Sequence, residues 1–305
     1  MPTFRQLGFF VAIADTLSFS RAAELSRVSQ PTISSALAEL ESELGVLLVE
    51  RTRHSVSLTP IGAELARRSR AIQTDIKEIV ALAREYSNGH CADIRMGAIP
   101  TVGPYLLPHA MAPLRQAFPG MRLFLREELS DSLLDGLEAG RLDVVLLALP
   151  YETRGLHVEP LFEDRYRLAT PKGHPFAGRR NIGGEELARS ELLLLEKGHC
   201  LQRHALSSFP GVTLYQDESF AATSLPTLIA MVGEDLGITI LPDLAIDAGV
   251  VRGEHVALTA MPTAMPREIA LVWRKTSAQA AIFRKIGKIL QSARPRRDDR
   301  ESGDT

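Results

Sequence analysis

The sequence predicts a protein in two parts, an all-helical amino-terminal segment and a larger α/β domain joined by one long helix. Three patterns support this division. Residues 1–60 read as short amphipathic segments with brief turns, residues 61–88 carry a continuous apolar stripe, and residues 94–290 alternate between strand-like and helix-like segments. The chain has 305 residues, of which 45% are apolar and 24% are charged, and this is enough for two ordinary hydrophobic cores.

In the first part, two short helices are separated by a very brief turn. "SFSRAAELSRV" predicts the first helix and "SQPTISSALAELESELG" predicts the second, with apolar residues at helical spacing in both. Ser29 can cap the second helix, and Gly45 can end it. Because the connection is so short, we predict a helix-turn-helix at about residues 18–37.

The stretch "TPIGAELARRSRAIQTDIKEIVALAREYSNG" predicts one helix over residues 61–88, followed by a hinge at residues 89–93. Its apolar stripe either packs on its own domain or pairs with the same helix of a second copy. We expect pairing, because a helix of about seven turns between two domains normally buries its stripe against another helix. The predicted dimerisation residues are Leu65, Ile72, Ile76 and Ile79.

After the hinge, strand-like segments such as "DIRMGAI", "MRLFLREE" and "DVVLLAL" alternate with helix-like ones such as "LPHAMAPLRQAF". This alternation predicts an α/β domain over residues 94–290 with largely parallel sheets. Ligands of such folds bind beyond the carboxyl ends of the strands. Residues 291–305 are charged and lack large apolar side chains, so we expect a disordered tail.

The composition excludes several classes of protein. No apolar run reaches the roughly 18–20 residues that cross a bilayer, and Asp15 interrupts the apolar stretch that a signal peptide would need. Two cysteines and no export signal predict a reducing cytoplasm. Cys/His spacing typical of zinc sites is missing from the sequence, so we expect no metal and no cofactor. Since the net charge is −2, any nucleic acid must be bound by a local basic patch.

"FSRAAELSRVSQPTISSALAELESELGVLLVER" followed by "SLTPIGAEL" resembles the winged helix-turn-helix domain of LysR-type transcriptional regulators in order and spacing. The resemblance covers nearly the whole chain. It implies a winged helix-turn-helix domain at residues 1–60, a linker helix, and a periplasmic-binding-protein-like effector domain of two subdomains. It also implies a cytoplasmic transcription regulator and not an enzyme. Its partners would be a dyad-symmetric operator in double-stranded DNA, further copies of itself as a dimer or a dimer of dimers, and RNA polymerase, with no membrane.

The second helix of the predicted helix-turn-helix has no Lys or Arg in "SSALAELESE". Base contacts would therefore come from polar side chains at its start, which can hydrogen-bond base edges. Phosphate attraction would come from two arginines in the expected wing. The predicted DNA-binding residues are Gln30, Pro31, Thr32, Ser34, Ser35, Arg51 and Arg53.

The effector part is similar to the peroxide-sensing OxyR group of that family, through "IPTVGPYLLP", "LLLLEKGHCL", "ATSLPTL" and "GITILP". The resemblance makes Cys200 the peroxide-reactive thiol. Its pocket would contain Thr101, Ser130, His199 and Arg267. These residue types suit the chemistry, because attack on an O–O bond needs a thiolate and hydrogen-bond donors for the departing oxygen. A helix beginning at Cys200 would lower the pKa of the thiol.

One position departs from the OxyR pattern. The resolving cysteine nine residues after the first is Phe209 here, and Cys91 in the hinge is the only other thiol in the sequence. Oxidation of Cys200 would then stop at sulfenic acid, form a mixed disulfide, link two chains, or recruit Cys91. Alternatively, the protein could have lost the response to peroxide altogether.

Simpler interpretations stand beside these. Cys200 could be an inert buried thiol, and Thr101 could cap the helix that follows it. The pocket could bind a small metabolite with Cys200 incidental, or the protein could be a thiol-peroxidase-like enzyme. A change in DNA binding that survives Cys200→Ser would favour the metabolite, and catalytic turnover of peroxide would favour the enzyme.

Overall fold

The computed structural model describes residues 1–51, 55–88 and 93–295. The amino-terminal segment forms α1 (Phe4–Thr16), α2 (Phe19–Ser26) and α3 (Gln30–Leu44). Each helix has a side-chain cap at its start, and Ser29 caps α3 as predicted, accepting from the Thr32 N–H. Gly45 ends α3 in the left-handed conformation, at φ 69°. The three helices bury one shared core that includes Phe10, Ile13, Ile33, Leu37 and Leu40.

A two-stranded wing follows, with β1 (Val49–Arg51) antiparallel to β2 (Val56–Leu58). The Glu41 carboxylate of α3 accepts hydrogen bonds from the backbone N–H groups of Leu48 and Val49, at 2.8 and 3.1 Å. The start of the wing is therefore fixed to the helix that precedes it.

The long helix α4 (Pro60–Asn88) begins at the "TPIG" stretch. The Thr59 hydroxyl accepts from the Gly62 N–H at 2.9 Å and donates to the Leu47 carbonyl at 2.8 Å, which joins the helix start to the wing. A Cβ on Gly62 would lie 2.0 Å from the Leu48 carbonyl oxygen, so only glycine fits here.

The α/β domain follows from residue 93. Its elements in chain order are β3 (Ile94–Ala98), α5 (Gly103–Ala117), β4 (Leu123–Glu127), α6 (Ser130–Glu138), β5 (Val144–Leu149), β6 (His157–Asp164), β7 (Tyr166–Pro171), α7 (Gly184–Leu187), β8 (Glu191–Leu195), α8 (Cys200–Leu206), β9 (Tyr215–Ala222), α9 (Leu225–Gly233), β10 (Thr239–Pro242), α10 (Asp243–Asp247), β11 (Val256–Ala260), β12 (Arg267–Trp273) and α11 (Ala280–Ser292).

The domain has two subdomains. The first contains a five-stranded sheet in the order β4-β3-β5-β12-β6, and the second contains a three-stranded sheet, β10-β7-β11, beside the pair β8-β9. The expectation of largely parallel sheets was wrong. Only β3, β4 and β5, and the pair β8-β9, run parallel among these strands, whereas β12 is antiparallel to both β5 and β6. The reason is that the chain returns from the second subdomain through β12, which enters the first sheet in the opposite direction.

The carboxyl-terminal helix extends past the predicted boundary of the tail. Helix α11 runs to Ser292, and its side chains hold it to the first subdomain. The Gln291 amide donates to the Leu161 carbonyl at 2.7 Å, and Arg294 donates to the Glu163 carbonyl at 2.8 Å. Residues 291–295 are therefore ordered by tertiary contacts that their composition does not reveal. The rest of the predicted tail, 296–305, lies outside the described residues.

No helix in the described part of the chain is both long enough and apolar enough to cross a membrane.

Candidate functional site

A small pocket of the α/β domain brings together three segments that are far apart in the sequence. It is lined by Ile99, Pro100, Thr101, Leu129, Ser130, His199 and Cys200, and its empty volume is about 170 Å³, part of which is open to solvent. The three segments follow β3, β4 and β8 respectively. The pocket thus lies beyond the carboxyl ends of strands, where ligands of open α/β folds bind.

Arg267 lies behind this pocket and reaches it through Thr101. Its Nη1 donates to the Thr101 hydroxyl at 2.9 Å, and its Nη2 donates to the Thr101 carbonyl at 3.0 Å. Because the Thr101 hydroxyl accepts from a guanidinium, its own proton is free to be donated into the pocket. The alternative of Thr101 as a helix cap is not what the structure shows, since α5 has Val102 at its N-cap and no side-chain cap.

Arg267 is fully buried, and its charge is balanced by Asp164. The Asp164 carboxylate accepts from Arg267 Nε and Nη2 at 3.0 and 2.9 Å, and from the Leu244 N–H at 2.8 Å. Burial alone would lower the pKa of Arg267, but the carboxylate raises it above its ordinary value. A permanent positive charge is therefore held close to Cys200.

Ser130 is the pocket residue whose polar side chain lacks a hydrogen-bond partner among the described residues. It begins α6, its side chain is 1% exposed, and its hydroxyl makes no hydrogen bond within the part of the chain that the structure describes. The hydroxyl is nevertheless close enough to the Cys200 sulfur to lower the pKa of the thiol. An unpartnered buried hydroxyl beside a thiol is a free donor for a thiolate or for a ligand oxygen.

Cys200 begins α8, as the sequence predicts, but the expected low pKa is not found. Burial raises the pKa of the Cys200 thiol above its usual value, and Arg267, Ser130 and Arg203 only partly oppose this. The thiol is only 5% exposed, so the loss of hydration of the thiolate outweighs the stabilisation expected from the start of the helix. His199 is the N-cap residue, and burial lowers its pKa, so its ring is neutral near pH 7.

Three buried polar groups around the pocket were not predicted from the sequence. Asp164 holds Arg267, the Tyr166 hydroxyl is buried and has no hydrogen bond to any described residue, and His204 lies four residues after Cys200 on α8. The spacing of His204 is a signal that could have been used, because residues i and i+4 share a helix face. Asp164 has no such local signal, since its partner lies 103 positions away.

Phe209 occupies the position that the resemblance gives to a resolving cysteine. It is 5% exposed and packs on Gly184, where a Cβ would lie only 2.7 Å from the Phe209 ring. The preceding Ser208 carbonyl accepts from the Met265 N–H at 2.7 Å. This segment is therefore held by its own packing. Cys91 lies outside the described residues.

The predicted DNA-binding residues of α3 lie at its exposed amino-terminal end. Gln30, Pro31, Thr32 and Ser35 are exposed, and Ser34 is half-buried. The basic side chain of Arg51 reaches the amino-terminal end of α3. Its Nη1 donates to the Ser34 hydroxyl at 3.1 Å, and its guanidinium lies 4.0 Å from the Phe19 ring centroid. Arg53 lies outside the described residues.

The predicted dimerisation residues of α4 do not all lie on a free surface. Ile72 is 45% exposed and Ile79 is 65% exposed, and Ile76 is half-buried. Leu65 packs on the core formed by α1 to α3, which is the packing on its own domain that the sequence left open. An unpaired apolar surface therefore runs along the middle of α4.

Within residues 1–51, 55–88 and 93–295, no group of three or more His, Cys, Asp or Glu side chains is placed to hold a metal ion.

Family comparisons match both parts of the chain. Residues 4–63 match the family described as bacterial regulatory helix-turn-helix protein, lysR family, and residues 87–294 match the LysR substrate binding domain. The HTH-type transcriptional regulator EstR of Acinetobacter baylyi is 37% identical over 292 residues, which cover 95% of this chain and 97% of EstR. The DNA-binding transcriptional dual regulator OxyR of Escherichia coli is 37% identical over 288 residues, 94% of each chain.

Solved structures give the same result. A full-length OxyR variant from Pseudomonas aeruginosa has a TM-score of 0.79 at 31% identity and covers 97% of this chain and 98% of its own. A Corynebacterium glutamicum OxyR mutant with hydrogen peroxide bound has a TM-score of 0.63 at 33% identity, and the match covers 96% of this chain and 94% of the mutant chain.

A winged helix-turn-helix, a long helix and an α/β domain with a buried polar pocket define a DNA-binding regulator that carries its own effector domain. The chain belongs to the LysR family of bacterial transcriptional regulators and is OxyR-like over nearly its whole length. This family consists of transcriptional regulators, which argues against the thiol-peroxidase alternative.

Proposed function

We propose that this regulator responds to hydrogen peroxide through oxidation of Cys200 in the pocket with Thr101, Ser130 and His199. The observation that carries the proposal is the unpartnered, fully buried Ser130 hydroxyl beside the Cys200 sulfur. Relatives support it too, since one OxyR structure of similar fold has peroxide bound.

The reaction is a two-electron oxidation of sulfur. The Cys200 thiolate attacks one peroxide oxygen, an S–O bond forms, and the O–O bond breaks with its electron pair going to the other oxygen. That oxygen takes up a proton and leaves as water, and Cys200 becomes a sulfenic acid. Thr101 and Ser130 supply hydroxyl donors at the reacting oxygens, while the Arg267 guanidinium stabilises the thiolate. Since residue 209 is Phe, the product remains a single sulfenic acid unless a second thiol reaches it.

The test is dimedone labelling and intact mass after a brief peroxide pulse, on wild type, Cys200→Ser and Cys91→Ser. We expect one added oxygen atom or one dimedone adduct at Cys200 in wild type and Cys91→Ser, and none in Cys200→Ser. Because burial raises the pKa of Cys200, the rate should increase with pH between about pH 7 and pH 9. If Cys200 stays unmodified at peroxide levels that oxidise free cysteine, the proposal fails.

A small-metabolite response is the second candidate, and the raised pKa of the buried thiol favours it. In that case an effector would occupy the same pocket without reacting with Cys200. An effector-induced change in DNA binding that survives Cys200→Ser would decide for it.

For assembly, we propose that the protein forms a homodimer through α4, and that the dimer binds a dyad-symmetric operator with its paired α3 helices. Two dimers would pair into a tetramer. We further propose that the regulator contacts RNA polymerase in the cytoplasm. The exposed Ile72 and Ile79 support the dimer surface. Replacing both with Glu should give monomers that bind operator poorly, measured by light scattering and gel shift. Ala71→Glu, exposed and about 100° around the helix from Ile72, is the matched control and should leave the mass unchanged. An unchanged mass in the double variant would place the dimer surface elsewhere.

A further inference from the structure

The helix that carries Cys200 is too short to hold its own position. Helix α8 has seven residues, and isolated helices of that length do not persist in water. Leu201 and Ala205 bury its apolar side, but apolar packing does not by itself fix the rotation and depth of a helix to the accuracy that a reactive sulfur needs. The placement of Cys200 against Ser130 and Arg267 therefore depends on polar contacts between α8 and the five-stranded sheet, whose strands β4 and β12 lead to or carry those two residues.

His204 makes one such contact, one turn after Cys200. Its side chain is buried, and Nε2 lies 2.9 Å from the Pro150 carbonyl oxygen. A carbonyl only accepts, so Nε2 carries the proton and donates it, and Nδ1 is left with a lone pair and no partner among residues 1–51, 55–88 and 93–295. Burial lowers the pKa of His204 to about 4, so the ring keeps this neutral form near pH 7.

The neighbouring residue makes a second contact with the same strand end. The Arg203 guanidinium lies 4.6 Å from the centroid of the Tyr151 ring. Pro150 and Tyr151 directly follow β5, which pairs with β3 and β12. Thr101 follows β3 and Arg267 begins β12, so α8 is attached to the sheet that carries the other side of the pocket.

We propose that His204 is the positioning residue for Cys200, and that its hydrogen bond to the Pro150 carbonyl holds α8 at the sheet. His204 touches no reacting atom and acts through the helix. The inference rests on the proposed peroxide reaction, for which it names the group that sets the geometry of the sensor thiol.

The test uses His204→Gln, whose Nε2 reproduces the donor, and two variants that do not: His204→Leu, which lacks a donor, and His204→Asn, whose amide is too short to reach Pro150. The control is Gln202→Leu, which removes the hydrogen bond of the same helix to Gln216 in β9. Each full-length variant is checked by circular dichroism, then measured for the second-order rate of Cys200 oxidation by peroxide and for amide hydrogen exchange in α8.

We expect His204→Leu and His204→Asn to lose about five- to ten-fold in rate, the value of one hydrogen bond, and to exchange α8 amides faster. His204→Gln and Gln202→Leu should stay within about two-fold of wild type. Wild-type rate and exchange in a folded His204→Leu or His204→Asn would overturn the proposal, and so would an equal loss in His204→Gln or Gln202→Leu. If wild-type Cys200 does not react at all, the proposed function fails, and hydrogen exchange still decides whether His204 holds α8.

Discussion

The recognition end of α3 and the pocket around Cys200 are built in opposite ways. The predicted DNA-binding residues of α3 are nearly consecutive in the sequence, and most of them are exposed. The pocket joins segments so distant that the bond between Arg267 and Thr101 spans 166 positions, and every polar side chain in it is buried. One site is a surface presented by a single helix, and the other exists only in the folded domain.

From this difference it follows that the two sites should respond differently to mutation. An exposed polar side chain of α3 makes few contacts within the protein. Its replacement should therefore change DNA binding and leave stability almost unchanged. A polar side chain of the pocket is held by buried partners, so its replacement also leaves a partner without its bond.

Replacing Arg267 with Met should destabilise the effector domain strongly. The side chain would keep its apolar stem, but Asp164 would be left as a buried carboxylate without a counter-charge, which typically costs about 3–5 kcal/mol. Urea unfolding followed by circular dichroism measures the loss. The double variant Arg267→Met with Asp164→Asn should recover at least half of it, because no buried charge remains. A single variant within about 1 kcal/mol of wild type would show that the ion pair is not what holds this side of the pocket.

Phe209→Cys should cost stability and create a second oxidation product. The cavity left beside Gly184 is expected to cost about 2–4 kcal/mol in the reduced protein. The seven residues of α8 lie between the two positions, and at about 1.5 Å per residue a helix of that length keeps the Cα atoms of its ends about 9 Å apart, beyond the roughly 7 Å that a disulfide allows, so we expect α8 to unwind first.

In a Cys91→Ser background, intact mass after peroxide should therefore show one added oxygen at first and the loss of two hydrogen atoms more slowly. If the disulfide form appears without any earlier sulfenic acid, or never appears within hours, α8 does not behave as a separately opening segment.

The same difference explains what the sequence could and could not predict. The caps at Ser29 and Gly45 depend on neighbouring residues, so local pattern was enough to place α3. The position of Cys200 at the start of a helix could likewise be predicted from neighbouring residues. Thr101, Ser130 and Arg267 could be named only through family resemblance, because no spacing rule connects them, and Asp164 was missed altogether. The antiparallel β12 was missed for the same reason, since its direction depends on the path of the chain through the second subdomain.

Gln30→Ala should relax operator preference by about 1–3 kcal/mol, the usual value of a good side-chain contact to a base edge. Gln30 is exposed at the start of α3, and within the protein its amide oxygen accepts only from the Ser20 hydroxyl, at 3.1 Å, among its described hydrogen bonds. The urea midpoint should be unchanged. The measurement is binding to the operator and to variants with one changed base pair, at a fixed salt concentration. An equal loss on all sequences would mean that Gln30 contacts the backbone of the DNA.

The smallest expected effect belongs to Arg51→Gln. Arg51 places a positive charge at the recognition end of α3, and its contacts with Ser34 and Phe19 hold it there without neutralising it. If it lies at a phosphate, its loss weakens binding to all sequences by a similar factor and reduces the slope of log K against log salt by about 0.9. Arg51→Lys keeps the charge but not the planar stacking on Phe19, so it should retain the salt slope while losing part of the affinity. Titrations at four salt concentrations, on operator and on unrelated DNA, measure both quantities. A slope that is unchanged in Arg51→Gln would show that this arginine serves only to hold Ser34 and Phe19, and the recognition end of α3 would then depend on buried support in the same way as the pocket.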